Sequence, residues 1–305
     1  KDSVNVDPSL TDSLEQLYGG SVYKLDQRSI NEWVNAATNG NIPSLEISGI
    51  ESGNIEAALM AAQFFKAEWM YKFPEAETSP GAFDDERQDN PYACMMRLSS
   101  DDEIIRIADF TVDEVDYKVT RLSFRDNGEG RGYSFHIYSS DGTSILPHSD
   151  NLLQYLLAQG LVRFDDMRKS NGVVRFPRFK ISPNQTHQIS PSSLALRDAS
   201  GNMFSTFPLA WVGNDLSVAN ITHKAAVQID ESGGEAASVT SLAGTRGGSS
   251  MPFFNHDKPF LAMILDPSGT ILFMMMVTDP VDPFVEDAVT ADTDCQVGSF
   301  TPAAP

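Results

Sequence analysis

The sequence predicts an α+β fold, because helical and strand-like segments are mixed without the regular β-α-β repeats of a parallel sheet. Two observations support this class. Apolar residues recur at helical spacing in only a few short segments, while β-rich stretches bounded by turn residues fill much of the rest. The chain is also 305 residues long and 41% hydrophobic, which is enough for a sizeable core in one large or two modest domains.

Two helices are predicted most clearly. In residues 29–38 the apolar side chains fall at helical spacing, and Ser29 followed by Glu32 resembles a capping box at the start of the helix. Residues 151–160 predict a second, short helix that ends at a glycine.

Strands are predicted at residues 133–138, 173–181 and 223–229, and at two segments of 258–277 around the turn Asp266-Pro267-Ser268-Gly269. Pro177 has no N–H to donate, so the strand that contains it is expected at an edge or a bulge. Residues 55–69 are ambiguous, since their alanines favour a helix while a strand buried on both faces also fits.

Charge and motifs exclude several function classes. A net charge of −20 argues against nucleic acid and heparin-like polyanions as partners, since these require basic patches. No apolar run is long enough to span a bilayer, so no membrane partner is expected. None of the five histidines lies in HExxH, no GxSxG motif occurs, and Asp292 with Asp294 lacks the rest of a calcium ligand set. The sequence therefore predicts no enzyme, no metal site and no cofactor.

The chain has two cysteines, Cys94 and Cys295, which allow one internal disulfide at most. They are far apart in the sequence, and spacing alone does not bring them together, so we expect unpaired thiols.

The segment from 227 to 260 is the most unusual stretch of the chain, VQIDESGGEAASVTSLAGTRGGSSMPFFNHDKPF. It begins as a strand, runs through small residues and returns to an apolar segment. Its one basic residue between Lys224 and Lys258 is Arg246, a cleavage point for a trypsin-like protease. Taken alone, the segment fits a flexible linker between domains as well as a protease-sensitive ribbon.

Four segments occur in this order: INEWVNAATNGNIPSL (residues 30–45), FFKAEWMYKF (64–73), ITHKAAVQIDESGGEAASVT (221–240) and FNHDKPFLAMILDPSGTILFMMMVTDP (254–280). Together they resemble the serpin family. The last departs from the usual pattern at His256 and Ala262, and Met275-Met276 replaces the customary Gly-Arg. The resemblance covers nearly the whole chain up to Pro280.

The resemblance implies a fold of three β-sheets with surrounding helices and an exposed reactive-centre loop. It places a serpin domain at residues 1–280, followed by a polar tail at 281–305 that we expect to be disordered. The family's first helices would precede residue 1, so we expect the N-terminal part of the fold to be absent from this sequence. Residues 55–69 become a central strand under this interpretation.

The resemblance also implies a mechanism, in which the loop from Glu231 to Gly248 is cut by a serine protease and inserts into sheet A while the acyl-enzyme persists. Small residues must form the insertion path, and the implied hinge residues are Glu231, Gly233, Gly234, Glu235, Ala236, Ala237 and Ser238. Arginine chemistry favours Arg246-Gly247 as the reactive bond, whereas family spacing favours Gly247-Gly248. We expect Arg246-Gly247 and keep Gly247-Gly248 as the alternative. The expected partner is a trypsin-like serine protease, and the protein itself is expected to be a monomer.

Trp69 and His223 match the family's breach and shutter residues, although the usual asparagine partner of the histidine would fall at Ala61. Asn184 and Asn220 begin glycosylation sequons, which favour an extracellular protein. The alternative function is a non-inhibitory serpin with a carrier, chaperone or storage role. Val239, which is bulky for the insertion path, and the altered shutter favour that alternative.

Overall fold

The computed structural model describes residues 12, 15–16, 26–38, 40, 42–47, 60–63, 65, 67–83, 92–125, 132–140, 143–160, 166–181, 187–189, 207–208, 217–218, 221–233, 251–285 and 289–295. The chain divides into two compact units. One comprises residues 1–64 and 182–227, and the other comprises residues 65–181 and 228–305.

The first unit contains helix α1, Gln27–Ala37, which begins two residues before the predicted start. Asp26, with extended backbone angles, caps it by accepting a 2.9 Å hydrogen bond from the backbone N–H of Ser29. Asp26 therefore takes the capping position that the sequence pattern assigned to Ser29. The buried face of α1 packs in a small apolar cluster, whose buried members are Ile30, Val34, Ile42, Leu45 and Ala226.

The described residues of the same unit form five strands. They are β1 (Met60–Gln63), β8 (His187–Ile189), β9 (Phe207–Pro208), β10 (Ser217–Val218) and β11 (Ile221–Ala225). β11 pairs parallel with β1 and antiparallel with β8, and β9 pairs antiparallel with β10. Because residues 60–63 form a strand, the strand interpretation of the ambiguous alanine-rich segment is confirmed there.

The second unit contains an eight-stranded sheet. Its strands are β2 (Ser79–Ala82), β3 (Tyr92–Val112), β4 (Val115–Ser123), β5 (Ser134–Ser140), β6 (Arg168–Pro177), β13 (Phe253–Asn255), β14 (Phe260–Leu265) and β15 (Ile271–Val277). The order is β13-β6-β3-β4-β5-β14-β15, with β2 paired to β3. Among the described strand pairs of this sheet, β13 with β6 is parallel and the others are antiparallel.

Other elements complete the second unit. Helix α2 spans Ser149–Gln159, and single 3₁₀ turns lie at Glu75–Glu77 and Leu146–His148. Strand β7 (Phe179–Ile181) pairs with β12 (Val227–Ile229). The helix buries Leu152 and Leu156 in a cluster with side chains of β4, β5 and β14. Each fully buried side chain of this size stabilises the fold by about 1.5–3 kcal/mol.

Pro177 is the last residue of β6, an inner strand whose pairing with β13 stops at Arg175, so the predicted edge position holds only locally, at the end of the strand. The N–H of Val173 donates to Pro252 and the C=O of Arg175 accepts from His256, so odd-numbered residues of β6 face β13. β13 pairs no further than Arg175. The missing N–H of Pro177 therefore points past the end of its neighbour, and no ladder bond is lost.

The segment after residue 280 also differs from the prediction of a disordered tail, at residues 281–285 and 289–295. Val281 forms an antiparallel bridge with Lys180, and Asp282, Val289 and Cys295 are buried. Polar composition was misleading here because the buried carboxylate of Asp282 is paired with an arginine. The domain boundary at residue 280 stays a prediction.

The prediction of unpaired thiols is wrong, since Cys94 and Cys295 form a disulfide with a Cα–Cα distance of 5.6 Å. The pairing joins the start of β3 to the end of the described tail. Both cysteines are buried and share a small apolar cluster with Val289 and Val285. The sequence did not indicate this disulfide, because it depends on how the tail packs and not on the spacing of the two cysteines along the chain.

Candidate functional site

A tight turn at residues 230–233 ends β12, where the unusual segment begins. The N–H of Asp230 donates to the C=O of Gly233 at 3.1 Å, and the N–H of Gly233 donates to the C=O of Asp230 at 3.2 Å. Gly233 has φ of +119°, and a Cβ there would lie 2.3 Å from the carbonyl oxygen of Ala67. The turn therefore requires glycine at this position on two counts, conformation and space.

Trp69 donates two hydrogen bonds to the turn. Its indole Nε1 donates to the carbonyl oxygen of Asp230 at 2.7 Å, and its backbone N–H donates to the carbonyl of Ser232 at 2.9 Å. The ring is 1% exposed and stacks on Phe124 with 4.5 Å between ring centroids. The indole thus combines a packed apolar face with a polar contact to the turn, a typical use of buried tryptophan.

Glu231, the second residue of the turn, has a buried carboxylate. Its Oε1 accepts a 2.6 Å hydrogen bond from the hydroxyl of Thr78 and a 3.1 Å contact from Nη1 of Arg178. Its carbonyl oxygen accepts from the backbone N–H of Phe73 at 3.0 Å. Both ends of this residue are therefore held by neighbouring elements.

Arg178 is completely buried between two carboxylates. Its Nε donates to Oδ2 of Asp282 at 2.7 Å, and its guanidinium carbon lies 5.0 Å from the ring centroid of Phe284. Its Nη2 has no hydrogen-bond partner among the described residues. We call Thr78, Arg178, Glu231 and Asp282 the hinge cluster; it places one guanidinium between two carboxylates away from solvent.

Of the hinge cluster, sequence reasoning identified Glu231 and missed Thr78, Arg178 and Asp282. A charged residue between Pro177 and Phe179, inside a segment predicted to be a strand, was the available signal for Arg178, because a buried arginine requires an anionic partner. The partner from the tail had no comparable signal, since Asp282 stands in a stretch with the composition of a disordered segment.

Two histidines are buried in the second unit, His136 in β5 and His256 directly after β13, and neither forms an ion pair with the described residues. Burial lowers the pKa of His136 to about 3, with a smaller contribution from the positive charge of Arg121. Burial likewise lowers the pKa of His256 to about 3, and Lys118 adds to that shift. Each ring contacts a serine hydroxyl, Ser134 at 3.2 Å and Ser139 at 3.1 Å. Both imidazoles are therefore neutral at neutral pH.

The structure brings together three of the predicted site residues, Trp69, Glu231 and Gly233. His223 lies in β11 of the other unit, at the register position opposite Ala61 of β1 and His187 of β8. The remaining predicted site residues lie outside the described part of the chain: Gly234, Glu235, Ala236, Ala237, Ser238, Arg246, Gly247, Gly248, Asn184 and Asn220.

Within the ranges that the structure describes, no group of three or more His, Cys, Asp or Glu residues is arranged to hold a metal ion. None of the helices formed by the described residues has both the length and the apolar character needed to cross a membrane.

Comparison with known proteins gives a consistent result. Residues 1–280 match the family model described as Serpin (serine protease inhibitor). The chain is 26% identical to the leukocyte elastase inhibitor of Sus scrofa over 290 residues, which cover 90% of this chain and 73% of that protein. It is 30% identical to Iripin-1 of Ixodes ricinus over 250 residues, covering 80% of this chain and 59% of that protein.

Solved structures agree on the fold. The crystal structure of Serpin48 from Tenebrio molitor, described as a highly specific serpin, has a TM-score of 0.69 and 22% identity, over 92% of this chain and 73% of that one. A thyroxine-binding globulin in complex with thyroxine has a TM-score of 0.66 and 17% identity, with the same coverage of each chain. These similarities confirm the predicted α+β fold class.

Proposed function

The chain belongs to the serpin family, a family of protease inhibitors and not of enzymes, and from this membership we propose that it inhibits a serine protease as a suicide substrate. The protease cuts the segment that follows Gly233, and the cut segment inserts into a β-sheet before the acyl-enzyme is hydrolysed. The energy released by adding a strand traps the protease.

The observation that carries this proposal is the turn at residues 230–233. The loop from Glu231 to Gly248 is the bait that the protease attacks, and its first residues, 231–233, are the stem of the bait. In an inhibitor of this kind, the stem must be held out of the sheet before cleavage and must be able to join it afterwards. The turn reverses the chain directly after β12, and Gly233 is the residue that permits the reversal. Small residues follow in the sequence, AAS at 236–238, and small side chains offer the least resistance to insertion.

We further propose Arg246-Gly247 as the reactive bond and a trypsin-like protease as the target. An arginine side chain pairs with the acidic specificity pocket of such proteases. Gly247-Gly248 remains the alternative bond, because family spacing counted from Glu231 favours it. An extracellular location is proposed from the sequons and from the Cys94–Cys295 disulfide, because disulfides persist in oxidising compartments.

The direct test is incubation with a panel of serine proteases, including trypsin-like enzymes and an elastase, followed by denaturing gels. A complex that survives SDS supports inhibition, whereas clean cleavage without a complex contradicts it. The disulfide must be reduced before mass analysis, because it holds the C-terminal fragment to the body. A fragment that begins at Gly247 is expected, and one that begins at Gly248 would contradict our choice of bond.

A substitution on the insertion path tests the mechanism. Ala237→Arg should convert the inhibitor into a substrate, because insertion would bury an unpaired charge. We expect loss of the SDS-stable complex with cleavage still rapid. Ala237→Thr is the matched control, since it adds bulk without charge and should retain complex formation. Normal complex formation by the arginine variant would show that this residue does not enter a sheet.

A non-inhibitory role is the second candidate, and one observation favours it. Ala61 lies at the register position opposite His223, where the family usually has an asparagine. Alanine has no hydrogen-bonding side chain, so the pair that normally restrains sheet opening is altered. Cleavage that raises the melting temperature without forming a complex would support this role, as would cleavage without any rise.

A further inference from the structure

The hinge cluster contains a contact that the proposed inhibitory mechanism does not use, the one between Arg178 and Asp282. Glu231 belongs to the stem of the bait, but Asp282 belongs to the C-terminal tail. The two carboxylates share one buried guanidinium, so the tail and the stem of the bait are linked through a single side chain.

The distances show that the sharing is unequal. Asp282 contacts Nε at 2.7 Å, whereas Glu231 contacts Nη1 at 3.1 Å through one oxygen, and Nη2 has no partner among the described residues. An unshared arginine–carboxylate pair would use two parallel N–H···O bonds. The arginine is thus drawn toward the tail, and its contact with Glu231 is the longer and incomplete one.

Like charges weaken the contact further. Asp282 and Glu231 each have a side chain that is at most 5% exposed, so their mutual repulsion is little screened by water. Removing the charge of either carboxylate should strengthen the pairing of the other with Arg178.

Several contacts hold Asp282 at this place. Its Oδ1 accepts hydrogen bonds from the backbone N–H groups of Phe284 and Val285 at 2.8 and 3.0 Å, and the C=O of Val281 accepts from the N–H of Lys180 at 2.8 Å. Farther along, Cys295 ties the tail covalently to β3. The tail is therefore fastened on both sides of the cluster.

We propose that Asp282 is a positioning residue that competes with Glu231 for Arg178, so that the disulfide-fastened tail weakens the hold on the stem of the bait and speeds its insertion. This inference rests on the proposed function for its effect on inhibition. The competition itself is a property of the uncleaved protein and can be measured without any protease.

The test is hydrogen exchange of the uncleaved protein, read on peptides that cover residues 227–233. Asp282→Asn keeps the size of the side chain and an oxygen for the two backbone N–H groups but removes the charge. We expect exchange at the turn to slow by about tenfold, because Arg178 then pairs with Glu231 alone. Exposed Asp292, on the same tail, supplies the matched control: Asp292→Asn should leave exchange at the turn unchanged.

The disulfide provides a second, independent variant. Cys94→Ala with Cys295→Ala should slow exchange in the same direction, since the released tail no longer keeps Asp282 at Arg178. Combined with Asp282→Asn, the effect should stay near tenfold and not multiply, as expected for changes that act through one contact. Multiplying effects would overturn the proposed route through Asp282.

A purely structural role for Asp282 makes the opposite prediction. If the carboxylate only anchors Arg178, Asp282→Asn would speed or leave unchanged the exchange at residues 230–233, and either result overturns the proposal. With a protease that forms the complex, slower insertion should also raise the number of inhibitor molecules cleaved per protease trapped. Absence of any complex would contradict the proposed function alone, because the exchange result stands without it.

Discussion

The hinge cluster and the large sheet bury ionisable groups in opposite ways. Glu231, Arg178 and Asp282 are buried together, and each carboxylate contacts the guanidinium. His136 and His256 are buried singly, and burial holds their pKa values at about 3, so that they carry no charge at neutral pH. The hinge cluster thus holds ion-paired groups at the start of a segment that is proposed to move, whereas these two buried imidazoles are neutral.

The largest expected effect comes from removing the shared cation. Arg178→Met keeps the length of the side chain but leaves two buried carboxylates without their partner, which should lower the free energy of unfolding by about 3–5 kcal/mol. Urea unfolding at neutral pH measures this loss. Arg168, which pairs with Asp109 on the surface, is the control, and Arg168→Met should cost less than about 1 kcal/mol. Equal losses of unfolding free energy in the two variants would show that the buried ion pairs of Arg178 contribute no more than the surface pair of Arg168.

A smaller effect is expected at the turn itself. Gly233→Ala would force an L side chain into φ of +119° and place its Cβ 2.3 Å from the oxygen of Ala67. We expect a loss of about 2–4 kcal/mol, from backbone strain and overpacking together. Gly269, with φ of +91° and nothing within 4 Å of a Cβ, isolates the strain, so Gly269→Ala should cost about 1–2 kcal/mol. If both variants lose the same free energy, close packing at Gly233 contributes nothing.

The smallest expected effect concerns the two neutral histidines, and it is a change in how steeply the free energy of unfolding depends on pH. An unfolded histidine has a pKa of about 6.5, whereas the buried rings have pKa values of about 3. Between these values the unfolded chain binds more protons, so stability is full above about pH 6.5 and falls as the pH falls. His256→Asn should reduce the slope by about 1.4 kcal/mol per pH unit in that range.

Unfolding by urea between pH 4 and 8 gives this slope, and His136→Asn should change it in the same direction. A slope that neither substitution alters would mean that other groups govern acid unfolding.

The sequence predicted the elements that depend on local pattern and missed those that depend on distant partners. The two strands around Asp266–Gly269 were predicted, because β14 is apolar throughout and the turn residues are distinctive. The start of α1 was displaced because both Asp26 and Ser29 are good caps, and only the backbone conformation decides between them. The surroundings of Pro177 could not be predicted from the sequence, because they depend on where the neighbouring strand β13 stops pairing with β6.

The candidate site divides in the same manner. Trp69, Glu231 and Gly233 came from the resemblance to a family, and the structure brings them together at the turn. Arg178 and Asp282 were missed, because a buried ion pair depends on which segments meet, and these two residues are 104 positions apart in the sequence. Cys295 was predicted to be an unpaired thiol for the same reason, because its pairing with Cys94 depends on how the tail packs.

The disulfide also changes the covalent topology of the chain. It closes a ring whose ends are separated by 201 residues and which contains the whole bait segment. In the chain-entropy model, a ring of that size disfavours the unfolded state by about 5 kcal/mol. A cut after Arg246 would open the ring but leave both pieces joined at Cys94, as a branched chain. Any strand insertion that follows would remain a rearrangement within one molecule, and the C-terminal piece could not be lost.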